Sequence, residues 1–201
     1  MDLLVTRHSK AYYTLYARGR GRGGEDKFLL CAHKVPNQRK LRIFDDTRPP
    51  PGAKTMPGYL GRLKHNFLGS EFKLDDVTNG ENRKAEHLRV NFGVASFMSA
   101  SPRTMKATLT KARGTVLQAK QPEQTPQGYV LAFDIDSVSP SVKNFRLMNG
   151  SEMVMEMGKK AKTSGGAGTP DVFELRVRGP MSPYMAFGCA LSSLQDKKVC
   201  A

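Results

Sequence analysis

Along most of the chain, apolar residues come in short runs of strand length, separated by turn-forming residues. Residues 12–16 and 28–31 are rich in β-formers and flank Arg18-Gly19-Arg20-Gly21-Arg22-Gly23-Gly24, which predicts a hairpin with a glycine-rich tip. Residues 41–44 predict a further strand, stopped by Asp45-Asp46 and the breaker Pro49-Pro50-Pro51-Gly52. Residues 59–74 predict two strands with a turn near Gly69. Residues 87–97, 103–109, 129–133, 143–148, 152–157 and 172–177 are also strand-like. Turn signals at intervals of roughly ten to fifteen residues predict a sandwich or barrel. Polar stretches at 75–86, 119–128 and 159–170 interrupt the pattern, and the last, with its Ser164-Gly165-Gly166-Ala167-Gly168, predicts a flexible loop. None of them looks like a domain linker, so one domain over residues 1–201 is expected.

The C-terminal part departs from this rhythm. Pro183 suits the first turn of a helix, and residues 184–194 place apolar or small side chains on every side of it. A helix without a polar face is buried all round. About 12 residues span ~18 Å, too short for a bilayer. Ala186, Gly188 and Ala190 would let surrounding backbone approach closely. The pattern therefore predicts a mainly β domain built around one buried helix.

Charge adds the next constraint. Lys and Arg number 32 against 18 Asp and Glu, a net +14. Such an excess predicts attraction to nucleic acid, an anionic membrane leaflet or phosphorylated ligands. The cysteines, Cys31, Cys189 and Cys200, are odd in number and widely spaced, which argues against disulfides and a zinc site and for a reducing compartment. The residues after Met1 form too short an apolar run for a signal peptide.

Catalytic patterns find no support. Gly19, Gly21 and Gly24 match G-x-G-x-x-G, but the match leads into a strand, whereas a dinucleotide site needs a helix there. His8, His33, His65 and His87 show no metal spacing. Asp75 and Asp76 are adjacent, so on a strand they face opposite ways; Asp134 and Asp136 could share a face but sit near a turn signal. No nucleophile elbow and no P-loop occur. The expectation is a binding domain with no catalytic residues, metal or cofactor.

The basic residues are more informative. Arg62 and Lys64 stand at i,i+2 in Tyr59-Leu60-Gly61-Arg62-Leu63-Lys64-His65-Asn66-Phe67. On a strand they project from one face about 7 Å apart, with Leu63 and Phe67 expected to point inward. Two cations on a rigid strand make a preorganised phosphate clamp. Lys34, Arg39, Lys40 and Arg42 lie on the preceding β region, and Arg103 and Lys106 on a later one. Nucleic acid is the competing partner for this basic surface. The absence of Trp and of an aromatic–basic signature counts against stacking or sequence-specific readout.

The segment from Tyr59 to Phe72 resembles the tubby signature Y-[IL]-G-K-L-R-S-N-x-x-G-T-K-F. Ser141-Val142-Lys143-Asn144-Phe145-Arg146 is similar to its S-V-K-N-F-Q segment. Ala186-Phe187-Gly188-Cys189-Ala190-Leu191-Ser192-Ser193-Leu194, with Lys198-Val199-Cys200-Ala201, resembles its A-F-A-I-A-L-S-S-F and K-L-A-C-E terminus. Phe28-Leu29-Leu30 before a basic stretch and Asp171-Val172-Phe173 also fit, and the matches keep the family's order from about Val5 to Ala201.

This resemblance implies a closed, twelve-stranded antiparallel barrel threaded by the C-terminal helix. It also implies a phosphatidylinositol 4,5-bisphosphate site on the barrel's outside. The cations of the family's G-K-L-R map onto Arg62 and Lys64 with the residue types exchanged, and an Arg in its G-P-R-K-M segment maps onto Arg103. Lys34, Arg39, Lys40, Arg42 and Lys106 would add field attraction. The implied protein is a monomeric adaptor carrying protein cargo. It would be cytoplasmic, peripheral at the plasma membrane or a ciliary or flagellar membrane, with the nucleus as a further location. The chain departs from the pattern at Val35-Pro36-Asn37, which replaces part of a Lys/Arg run, and in its shorter loops.

Overall fold

A computed structural model describes residues 1–19, 21, 23–47, 58–77, 84–93, 104–126, 128–162 and 169–195. Its strands are β1 (Asp2–Arg7), β2 (Tyr12–Ala17), β3 (Lys27–Lys34), β4 (Lys40–Phe44), β5 (Tyr59–His65), β6 (Glu71–Val77), β7 (Lys84–Phe92) and β8 (Met105–Leu109). They continue with β9 (Thr115–Ala119), β10 (Glu123–Thr125), β11 (Gly128–Val130), β12 (Val138–Ser139), β13 (Phe145–Asn149), β14 (Glu152–Lys160) and β15 (Asp171–Val177). One helix follows, α1 (Pro183–Leu194).

Alternation explains the strands. In β4, Leu41 and Ile43 are buried while Arg42 is not; in β8, Met105, Ala107 and Leu109 are buried between more exposed neighbours. Each such strand has one face for a core and one for water. All its pairings are antiparallel, in the order β14-β13-β9-β8-β7-β6-β5-β4-β3-β2-β1-β15, and β15 returns to pair with β14. That last pairing closes a twelve-stranded barrel, as the resemblance implies, and leaves no edge among these strands. The short β12 pairs with the end of β14, and β10 and β11 form a separate hairpin.

The helix lies inside. Every residue from Met185 to Leu194 is buried, so the absence of a polar face has its physical reason. Ser182 caps its start by accepting from the Met185 N–H at 3.3 Å. At Gly188 a Cβ would stand 2.9 Å from Leu74 Cδ2 and 3.1 Å from Leu88 Cδ2, so the barrel wall closes on the helix there, as the small residues predict. Beyond its end, Gln195 Nε2 donates to the Tyr13 hydroxyl at 3.1 Å. No helix among the described residues is long and apolar enough to cross a membrane.

Two expectations are corrected. The strand expected at 129–133 ends at Val130; residues 131–136 instead cross the outside of the barrel, and their backbone bonds to side chains of β13, β14 and β15. The polar stretch at 75–86 is shorter than expected, because β6 runs on to Val77 and β7 begins at Lys84. Strands β1, β9, β10 and β12 carry no strand expectation from the sequence, and β10 falls within the polar stretch 119–128. Arg20, Arg22, residues 49–52, 94–97 and 164–168, Arg103 and Cys200 lie outside the described residues.

Candidate functional site

The register of four strands assembles the basic residues. Lys40 on β4 pairs with Lys64 on β5, Lys64 with Lys73 on β6, and Lys73 with Arg89 on β7. Their neighbours along the strands, Leu41, Leu63, Phe72, Leu74, Leu88 and Val90, are all buried. Pleat parity therefore turns the four cations outward in one cross-strand row. The adjoining row runs Arg42, Arg62, Asp75, Glu86. Directly opposed like charges destabilise a sheet. Here such oppositions recur on neighbouring strands, and Asp75 at 3.4 Å from Lys64, Glu71 at 3.0 Å from Lys73 and Glu86 at 3.0 Å from Arg89 offset part of the repulsion.

Asp75 organises the centre. Its Oδ2 lies 3.4 Å from Arg62 Nε and 3.4 Å from Lys64 Nζ, so one carboxylate oxygen bridges the two cations. Arg62 is only 18% exposed, and its Nη2 is buried without a hydrogen-bond acceptor. Asp75 thus fixes the guanidinium, and because Nη2 is closed to solvent an anion would meet Arg62 at its remaining exposed edge.

The helix supports this arrangement from inside. Tyr184 donates its hydroxyl to the Asp75 carbonyl at 2.8 Å. Burial, with the nearby acids Asp76 and Asp75 and the Tyr59 phenol, pushes the Tyr184 phenol well above its usual range, so it stays a neutral donor. Gly61 makes the approach possible, because a Cβ there would collide with both the Asp75 carbonyl and the Tyr184 hydroxyl. The glycine that precedes Arg62 is thus required by the helix packed behind it. Asp76 goes elsewhere: it bonds to His87 Nε2 and, at 3.2 Å, to Lys111 Nζ. Burial opposes ionisation of Asp76, but the bonds from His87 and Lys111 outweigh it and hold the carboxyl below its ordinary value.

The structure brings Arg62, Lys64, Lys40 and Arg42 into direct register. Lys34 and Arg39 sit at the barrel rim, where they line a shallow hollow with Asn37 and Gln38. Lys106 is exposed on β8, three strand spacings or about 14 Å from β5. Arg103 lies outside the described residues, so its placement is undescribed. Phe67 departs from expectation: it falls in the turn after β5 and is 60% exposed rather than inward. Lys73, Arg89 and the bridging Asp75 were missed as site residues. Their signal is register, which the spacing within one strand does not carry.

Across the barrel the charges are arranged differently. Arg146 on β13 pairs with Glu156 on β14, Glu156 with Arg176 on β15, and Arg176 with Asp2 on β1. Glu156 is fully buried under residues 131–136 and accepts from the Asp134 N–H at 3.1 Å. Burial raises its carboxyl above the ordinary value, against the opposing pull of the Asp134 N–H and Arg146. Cys31 and Cys189 are buried free thiols, and burial, reinforced by Asp46 and Asp45, pushes Cys31 up to about 12. Neither has the character of a nucleophile. Among the described residues no three His, Cys, Asp or Glu side chains gather where they would hold a metal ion.

Comparison with known proteins points the same way as the fold. The family model described as Tub family matches residues 99–196. The protein named king tubby in Drosophila melanogaster is 26% identical over 216 residues, covering 88% of this chain and 45% of that relative. King tubby of Drosophila sechellia is also 26% identical, over 88% of this chain and 46% of the relative. That of Drosophila virilis is 25% identical, over 88% and 45%. The chain thus spans about half the length of these curated relatives. The matches support a tubby-like protein.

Proposed function

We propose that this tubby-like protein binds phosphoinositide headgroups, phosphatidylinositol 4,5-bisphosphate foremost, and acts as a peripheral membrane adaptor with no catalytic step. The observation that carries the reading is the cationic row Lys40, Lys64, Lys73 and Arg89 beside the Asp75-bridged Arg62 and Lys64. The exposed edge of the Arg62 guanidinium, held in place by Asp75, suits one phosphate, and the Lys64 ammonium serves a neighbouring one as a point charge. Lys34, Arg39, Arg42 and Lys106 add attraction to the leaflet, at about 1 kcal/mol for each cation near an anionic surface. Binding of this kind is reversible, so hydrolysis of the lipid would release the protein. The cytoplasmic leaflet of the plasma membrane, or of a ciliary or flagellar membrane, supplies that lipid, and cargo would ride on surfaces away from β4–β7.

The test is co-sedimentation with phosphatidylcholine vesicles with and without phosphatidylinositol 4,5-bisphosphate. The variant Arg62→Ala/Lys64→Ala/Asp75→Asn removes the clamp without stranding Asp75. Its affinity is expected to fall about 30-fold, the equivalent of ~2 kcal/mol. Equal binding by both proteins would overturn the site. Vesicle binding that is absent while RNA is held at physiological salt would replace the reading with nucleic-acid binding.

A further inference from the structure

The turn between β5 and β6 presents two adjacent apolar side chains where turn chemistry favours polar ones. Phe67 is 60% exposed and Leu68 is 46% exposed. The turn beneath them is well tied. Asn66 Oδ1 accepts from the Ser70 N–H at 2.9 Å and the Glu71 N–H at 3.3 Å, and Asn66 Nδ2 donates to Ser70 Oγ at 2.9 Å. The Gly69 N–H donates to the Asn66 carbonyl at 3.3 Å, with Gly69 in the left-handed region at φ 69°. The apolar pair is thus held outward by a built turn.

Its surroundings are cationic. The Arg39 guanidinium lies over the Phe67 ring, 5.4 Å from the centroid. Arg39 and Lys34 line the rim hollow, Lys64 stands on β5 just before the turn, and Lys40 pairs with it from β4. An apolar tip within a basic collar matches an anionic bilayer in both layers: headgroup phosphate for the cations, acyl boundary for the apolar side chains. Arg39, Lys34, Lys64 and Lys40 outweigh the one carboxylate at the turn, Glu71, which Lys73 holds at 3.0 Å, and this excess favours that surface over a protein partner, whose interface would need acidic groups facing each of these cations.

We infer that Phe67 and Leu68 form a membrane-inserting tip, which enters the acyl boundary of an anionic leaflet when the adjacent cations engage headgroups. This rests on the phosphoinositide reading and adds a second, apolar mode of attachment. Headgroup binding then supplies lipid identity, and the tip supplies the requirement for an intact bilayer. It also fixes how the barrel stands, with the β5–β6 hairpin directed into the membrane.

The chain contains no Trp, so Phe67→Trp supplies a lone fluorophore and keeps an aromatic face for Arg39. Bound to vesicles of phosphatidylcholine with phosphatidylinositol 4,5-bisphosphate, it is expected to show blue-shifted emission, quenched when the acyl chains are brominated. Soluble inositol 1,4,5-trisphosphate is expected to bind without the shift. Leu68→Ser is expected to weaken vesicle binding about tenfold, as loss of a largely buried aliphatic side chain implies, with affinity for the soluble headgroup unchanged. Co-sedimentation with no shift and no quenching overturns the tip and leaves the headgroup site standing. An equal loss of soluble-headgroup binding in Leu68→Ser also overturns it, by assigning the turn to the headgroup site. No vesicle binding by the unaltered protein overturns both readings.

Discussion

Two outward-facing rows on opposite sides of the same barrel use similar residues to opposite ends. On β13, β14, β15 and β1 the sequence of partners is Arg146, Glu156, Arg176, Asp2, alternating in sign. On β4 to β7 it is Lys40, Lys64, Lys73, Arg89, all of one sign. In the first row each charge meets its complement, and a covering segment removes the centre from water. In the second, the carboxylates stand beside the row rather than in it: Asp75 bridges Arg62 and Lys64, Glu71 lies 3.0 Å from Lys73, and Glu86 lies 3.0 Å from Arg89. A net charge of +14 does not distinguish the two faces. The placement of carboxylates does: within the row and under a covering segment on one face, beside the row and open to water on the other.

The strongest way to break the comparison is Arg146→Ala. Arg146 is 12% exposed and Glu156 is fully buried, with the Arg176 Nη1 at 4.0 Å as the remaining cation. Removing one partner of a buried pair leaves a poorly compensated charge, so urea unfolding is expected to show a loss of about 3 kcal/mol. Vesicle affinity of the folded fraction should not change. Lys64→Gln is expected to give the reverse split. It relieves opposition to Lys40 and Lys73 while Asp75 keeps Arg62, so stability should move by less than ~0.5 kcal/mol. Vesicle affinity should fall about fivefold, equivalent to ~1 kcal/mol. If Lys64→Gln instead destabilised the protein as Arg146→Ala does, the cationic row would be a structural network like the other.

The sequence carried much of this and missed it at definable places. The helix was legible because residues 184–194 have no polar face, and the structure buries Met185 to Leu194 throughout. Arg62 and Lys64 were legible because i,i+2 spacing fixes a shared face on any strand. Strand β1 was not: its partner β15 lies about 170 residues away along the chain, and no local signal announces that pairing. Residues 131–133 misled because their strand-like composition serves to cover Glu156 rather than to join a ladder. Asp75 looked like half of a carboxylate pair. Only register places it between two cations. Phe67 looked inward on an assumed continuation of β5, but the strand ends at His65 and the turn reverses the chain before Phe67 can reach the core.

Acid–base behaviour offers the finest test of the alternating row, with Asp171 on β15 as a partly exposed control outside it. The Glu156 carboxyl is raised above 4.5, chiefly by burial. A carboxyl raised in the folded state costs stability as pH climbs from 4.5 through its folded value, because ionisation is easier in the unfolded chain. Asp171 has the opposite sign: a hydrogen bond from Lys159 holds it below 3.8 despite the opposing effect of burial. Its contribution is present above 3.8 and is lost as pH falls through the folded value. Urea midpoints followed from pH 3 to 7, a span of order the unperturbed carboxyl values and beyond, should therefore separate two variants. Glu156→Gln is expected to gain on the unaltered protein as pH rises above 4.5, whereas Asp171→Asn is expected to fall behind it as pH rises through the region below 3.8. A Glu156→Gln curve parallel to that of the unaltered protein would mean that the alternating row fully compensates its buried carboxylate. The contrast between the two faces would then lie in ligand attraction alone, because neither row would carry a net cost of burying charge.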